Sequence, residues 1–120
     1  MAQLNHAGFE SISPNRFNLN KMSLEEIDYV KESFVKAAVR TKKAGFDGVE
    51  IHAAHGYFLS QFYSPYTNKR TDDYGGTLEN RMRLHNEIIA DVREAVGEDH
   101  IIAIRFGAYD YWEGGSKLEE

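Results

Sequence analysis

The amino-acid sequence predicts an α/β fold on a parallel sheet, and three observations predict it. Two long segments carry apolar side chains at helical spacing: Ile27, Val30, Phe34 and Ala38 in the first, and Leu78, Met82, His85, Ile89, Val92 and Val96 in the second. Short apolar runs precede, separate and follow them. The resulting order is strand, helix, strand, helix, strand. Strands joined through crossover helices pair in parallel with right-handed connections. This order alone does not separate a closed barrel from a doubly wound sheet.

Residues 1–6 read as the end of a short strand. Gly8 and the polar run from Glu10 to Lys21 read as a loop, in which the fixed φ of Pro14 does no harm. The first helix is predicted over 24–43. Ser23 and Glu26 have the spacing of a capping box, and Met22 and Ile27 stand at the staple positions on either side of it. Thr41 extends the apolar face, and Gly45 is placed to end the helix in the left-handed conformation. Asp47–His52 reads as a strand, and 53–76 as a long polar and aromatic loop ending in Gly75-Gly76. Thr77 caps the second helix and Gly97 closes it. The near-continuous apolar run 101–106 has the composition of a strand buried on both faces.

At 120 residues the chain has room for one modest domain. Its 42% hydrophobic and 28% charged content is that of a globular protein. No apolar run is long enough to span a bilayer, and Met1–His6 lacks the features of a signal peptide, so a cytoplasmic protein is expected. The absence of cysteine excludes disulfides and thiolate metal sites. A net charge of −5 argues against non-specific nucleic-acid binding, which needs a basic face, and leaves a small molecule as the expected partner.

Ligands of parallel α/β folds sit at the carboxyl ends of the strands. Gln3 and His6 fall at the end of the first strand, His52, His55 and Tyr57 at or just past the second, and Arg105 at the third, with Tyr109, Tyr111 and Trp112 behind it. Two imidazoles suit an oxyanion hole, since both can donate to one carbonyl oxygen, and a phenol nearby can deliver a proton. Paired histidines with Glu50 or His6 are also a possible zinc or iron set. A third reading has both histidines bonding to backbone at strand ends. Arg105 in an apolar strand requires an anionic partner, either a ligand or a loop acid such as Asp110. Glu25-Glu26 and Lys42-Lys43 complement the helix dipole, and Lys69-Arg70 with Asp72-Asp73 read as solvated charges or local ion pairs.

The stretch Ala44-Gly-Phe-Asp-Gly-Val-Glu-Ile-His-Ala-Ala-His-Gly-Tyr57 resembles the Old Yellow Enzyme family. So do Gln61-Phe62, Ser64-Pro65, Asn68, Arg70, Asp73-Tyr74-Gly75-Gly76, Glu79-Asn80-Arg81 and the opening Gln3-Leu4-Asn5-His6-Ala7-Gly8. The resemblance covers nearly the whole chain. It implies a portion of a (β/α)8 TIM barrel, about strands three to five with two full helices. It implies FMN as cofactor, reduced by NADH or NADPH, and hydride transfer from flavin N5 to the β-carbon of an activated alkene such as an enone. By position, His52 and His55 match the pair that holds the substrate carbonyl, and Tyr57 the proton donor to the α-carbon. Gln3 matches the residue on the flavin pyrimidine edge, and Arg105 the cation near flavin N1 and O2. No metal is implied.

Two departures accompany the likeness. The segment Phe9–Met22 is shorter than the family's usual rim segment. A complete barrel needs about 250 residues, so residues 1–120 are expected to be a partial domain, incomplete at both ends. Open sheet edges then predict self-association or a partner supplying the missing strands, and catalytic silence of the chain by itself.

Overall fold

The computed structural model describes residues 1–6, 8 and 18–120. Most of the segment read as a shortened loop, Pro14 included, lies outside the described residues. Three parallel strands form one sheet in the order β1 (Ala2–Leu4), β2 (Gly48–Ala53), β3 (Ile101–Phe106). Two long helices, α1 (Leu24–Lys43) and α3 (Leu78–Val96), connect them, and a short helix α2 (Phe58–Tyr63) follows β2.

Helix α1 begins where its sequence directs. The Ser23 hydroxyl accepts from the Glu26 N–H at 3.1 Å, and the Glu26 carboxylate accepts from the Ser23 N–H at 2.8 Å. Two of the four unpaired N–H groups of the first turn are thereby satisfied. At the other end Gly45 (φ 85°) donates to Lys42 O and Phe46 donates to Thr41 O, the paired bonds of a Schellman stop. Lys42 reaches across to the Val96 carbonyl at the end of α3, tying the two helix C-termini together.

Side chains alternate across β2. Val49, Ile51 and Ala53 face the helices and join Ile27, Val30, Phe34 and Ala38 of α1 and Leu84, Ile88, Val92 and Val96 of α3 in one core. Full burial of each large aliphatic stabilises by about 1.5–3 kcal/mol. β3 approaches the start of β2 so closely that a Cβ on Gly48 would lie 2.6 Å from Ile101 Cβ, so only glycine fits there.

Three expectations are corrected. β3 has its predicted bounds but is not buried on both faces: Ile101 is 56% exposed and Ile104 38%. It is an edge strand, and its apolar composition exceeds what this sheet covers. The segment 53–76 is not all loop, because α2 lies within it with all six of its residues buried. A helix enclosed on every side has no polar face, so no 3.6-residue period marks it. In α3 the buried face is Arg81, Leu84, His85, Ile88, Val92 and Val96, whereas Leu78, Met82 and Ile89 are half-buried flanks. The apolar stripe favoured methionine and leucine over an arginine, yet Arg81 is inside because its donors are used. It donates to the carbonyls of Tyr63 (2.8 Å) and Gly76 (2.7 Å) and pairs with Glu120 (2.8 Å). Arg70 keeps the local ion pair that is one of its two expected roles and also turns inward. It donates to the carbonyls of Leu19 and Met22 and pairs with Asp72.

Candidate active site

β2 delivers the site by running out of sheet. After Ala53 the chain reverses through Ala54–Tyr57, where Tyr57 N–H donates to Ala54 O at 3.3 Å. Both central residues are left-handed, His55 at φ 60° and Gly56 at φ 73°, which is the dihedral pattern of a type I′ turn. Glycine takes that conformation freely. Histidine takes it at a cost, and His55 is the one non-glycine residue with positive φ among the described residues.

The turn folds His55 and Tyr57 back over His52. Ring centroids lie 5.1 Å apart for His52–His55 and 5.5 Å for His52–Tyr57. His52 is only 4% exposed, and neither ring nitrogen has a hydrogen-bond partner. Burial is the first cause that holds its pKa below the usual histidine value, followed by the positive charge of His55 and Arg105, with Glu50 opposing. The backbone of Ala54 also pulls upward without meeting hydrogen-bond geometry. The ring is therefore neutral near pH 7, with one N–H to donate and one lone pair. The backbone at Ala54 thus gives His52 at most a weak interaction, short of hydrogen-bond geometry.

Strand register completes the wall. Gln3 pairs with Glu50 and His52 with Arg105, and alternation places all four on the sheet face opposite the helices. Arg105 is exposed and makes no hydrogen bond or ion pair among the described residues, so the loop salt bridge does not form and burial does not oblige it to meet an anion. The Asp110 carboxylate instead accepts from Ser64 and from the Ser116 hydroxyl and N–H, both of the latter at 3.0 Å. Gln3 Nε2 donates to Glu50 Oε1.

Not every candidate joins this group. The His6 ring packs on Phe58 at 4.8 Å and its Nδ1 accepts from Gly8 N–H at 2.9 Å. Tyr109 and Tyr111 pack on one another, and Trp112 stacks on Tyr66, all four rings being exposed. No group of three or more His, Asp or Glu side chains is placed to hold a metal ion among the described residues, which leaves the zinc or iron set without a geometry. Glu50, expected only as a metal ligand, is instead the hydrogen-bond acceptor of Gln3. Its signal was present: a carboxylate two residues before His52 on one strand shares its face.

The strand ends of this parallel α/β unit thus gather two imidazoles, a phenol and a guanidinium, all groups able to hydrogen-bond an oxygen atom. The chain belongs to the NADH:flavin oxidoreductase / NADH oxidase family, whose pattern it matches over residues 2–120. It is 53% identical over 100 residues to an NADH oxidase of Thermoanaerobacter brockii, a match covering 83% of this chain and 15% of that protein. It is 44% identical over 130 residues to an NADPH dehydrogenase of Halalkalibacterium halodurans, covering 98% of this chain and 38% of that one. Among solved structures it resembles an Old Yellow Enzyme from Pichia sp. AKU4542, with TM-score 0.71 and 52% identity over 78% of this chain and 24% of that chain. The chain thus spans well under half the length of these proteins. No helix among the described residues is long and apolar enough to cross a membrane.

Proposed function

We propose that this chain forms the substrate-facing wall of an FMN-dependent NAD(P)H oxidoreductase that reduces the activated C=C bond of α,β-unsaturated carbonyl compounds. In this reading β1, β2 and β3 are strands three to five of a (β/α)8 barrel, with the helices outside and the Gln3–Glu50–His52–Arg105 face inside. One observation carries it: the rings of His55 and Tyr57 converge on His52, which is buried with both nitrogens unpaired. An unsatisfied buried polar group costs about 1–3 kcal/mol, a cost that a ligand oxygen accepting from the ring would offset.

The residues suit FMN at its ring end. Arg105 has an uncommitted guanidinium for the oxygen-rich, anionic edge of a reduced flavin, and Gln3 has amide positions left to offer. FMN, when bound and reduced by NADH or NADPH, supplies the hydride that goes to the β-carbon of the alkene. His52 and His55 hold the substrate carbonyl oxygen by two N–H donors and stabilise the negative charge that grows there, a term worth about 3–4 kcal/mol per donor in comparable sites. Tyr57 gives its phenolic proton to the α-carbon, which completes addition of H⁻ and H⁺ across the double bond.

The exposed edge and face of β3 favour a second statement about competence: the 120 residues require further strands or a partner for turnover. Titration with FMN, followed by flavin fluorescence with sizing alongside, tests both. Saturable binding by the chain supports the flavin reading and opens turnover assays. A folded monomer that binds no FMN assigns the activity to a longer assembly.

A further inference from the structure

We propose that Glu50 is a positioning residue that sets the orientation of the Gln3 side-chain amide, so that its carbonyl oxygen and one remaining N–H face the ligand; the ligand's identity rests on the flavin reading above. The two residues are register partners on adjacent strands, on the sheet face that carries His52 and Arg105. A primary amide can present either end to a neighbour, and from shape alone the two are alike. A carboxylate accepts only, so Glu50 selects the amide nitrogen and turns the oxygen away. Glu50 pairs in register with Ala103, two residues before Arg105, forms no ion pair with that arginine, and leaves the guanidinium uncommitted.

This division of labour has a chemical signature. Gln3 is left with an acceptor and one donor, and Arg105 supplies donors only. That set complements a ring imide, in which an N–H is flanked by carbonyl oxygens and charge develops on one side. With the amide reversed, two donors would meet the imide N–H and its acceptor would be lost. Glu50 also bears on His52, whose pKa it raises against the effects of burial, His55 and Arg105. The same carboxylate therefore links the cofactor end of the face to the carbonyl end.

The test is a double-mutant cycle read by NMR and by FMN titration. In the unliganded chain, Glu50→Gln should shift the Gln3 side-chain amide resonances, because the charge-assisted bond is lost, and should lower the His52 pKa further. FMN should bind about tenfold more weakly to Glu50→Gln, the scale of one hydrogen bond to a charged group. In a Gln3→Leu background the same Glu50→Gln change should leave FMN affinity unaltered, since Glu50 acts through Gln3. Glu50→Met, of similar length and unable to accept, repeats the comparison should Glu50→Gln not fold. Unmoved Gln3 amide signals overturn the contact. An equal loss in the presence and absence of Gln3 overturns the positioning role. Failure of the unaltered chain to bind FMN moves the affinity comparison to the longer assembly, while the amide signals, which need no FMN, still decide the contact.

Discussion

His52, at the open end of β2, and His85, inside α3, are both buried imidazoles without hydrogen-bond partners, yet their surroundings differ in every other respect. His85 has no exposure and lies with its ring 6.1 Å from that of Phe106; burial drives its pKa down to about 4, against a smaller upward pull from the backbone of Leu59 and Arg81. His52 is enclosed by a turn, a phenol and a second imidazole, and shares a register row with an uncommitted arginine. Burial and lack of partners do not make a site. Convergence of other donors on the same opening does.

The largest expected effect separating the two regions is chemical. Tyr57→Phe should slow alkene reduction in the FMN-loaded enzyme by about 10²–10⁴-fold, the range of positioned acid catalysis, and leave flavin reduction by NAD(P)H unchanged. Stopped-flow measurement of the two half-reactions resolves this, and equal slowing of both would deny Tyr57 a specific proton-donor role. Next, His52→Ala should lower turnover of an enone by about 10²–10³-fold, as for loss of one oxyanion donor. His85→Leu should leave that turnover within twofold.

The comparison reverses under acid. A folded-state pKa of about 4 for His85 lies below the ordinary histidine value of about 6.5, so the unfolded chain takes up the proton first. Its contribution to stability is intact above pH 6.5, falls as the pH drops through the window to 4, and is flat below it. The full swing is on the order of 3 kcal/mol at 1.36 kcal/mol per pKa unit. Urea titrations between pH 7 and 4 should show this slope in the parent chain and a smaller one in His85→Leu. Identical slopes would mean that the ring is not buried neutral. The smallest effect concerns the turn. His55→Gly should remove left-handed strain and stabilise the fold by about 1 kcal/mol while weakening carbonyl binding. Thermal unfolding combined with ligand titration measures both signs.

The same contrast governs what could be read from sequence. The limits of α1 were legible because capping box, staple and terminal glycine are local signals; the structure realises the box and the glycine stop and buries both staple residues. His52, His55 and Tyr57 were legible as strand-end residues, and the structure brings their rings together. β3 was legible as a strand but not as an edge, because apolar composition records what the side chains tolerate and not what covers them. α2 was illegible for the opposite reason: burial on all sides erases the period that reveals a helix. The Arg70–Asp72 pair was legible, but the carbonyls of Leu19, Met22 and Tyr63 that draw Arg70 and Arg81 inward lie far off in sequence and carry no mark there. The resemblance to flavin enzymes and the residue-level reading converge at the Gln3–Glu50–His52–Arg105 face, where register supplies the connection that spacing lacked.

The most direct test of the central claim is the affinity of the FMN-loaded protein for a simple phenol, measured in parallel on the parent, His52→Ala and His85→Leu. The phenol oxygen takes the place of a substrate carbonyl. A loss of about tenfold or more in His52→Ala, worth at least about 1.4 kcal/mol, with unchanged affinity in His85→Leu, is the predicted result. Equal affinity in all three proteins would contradict the assignment of His52 as the group that holds the substrate oxygen.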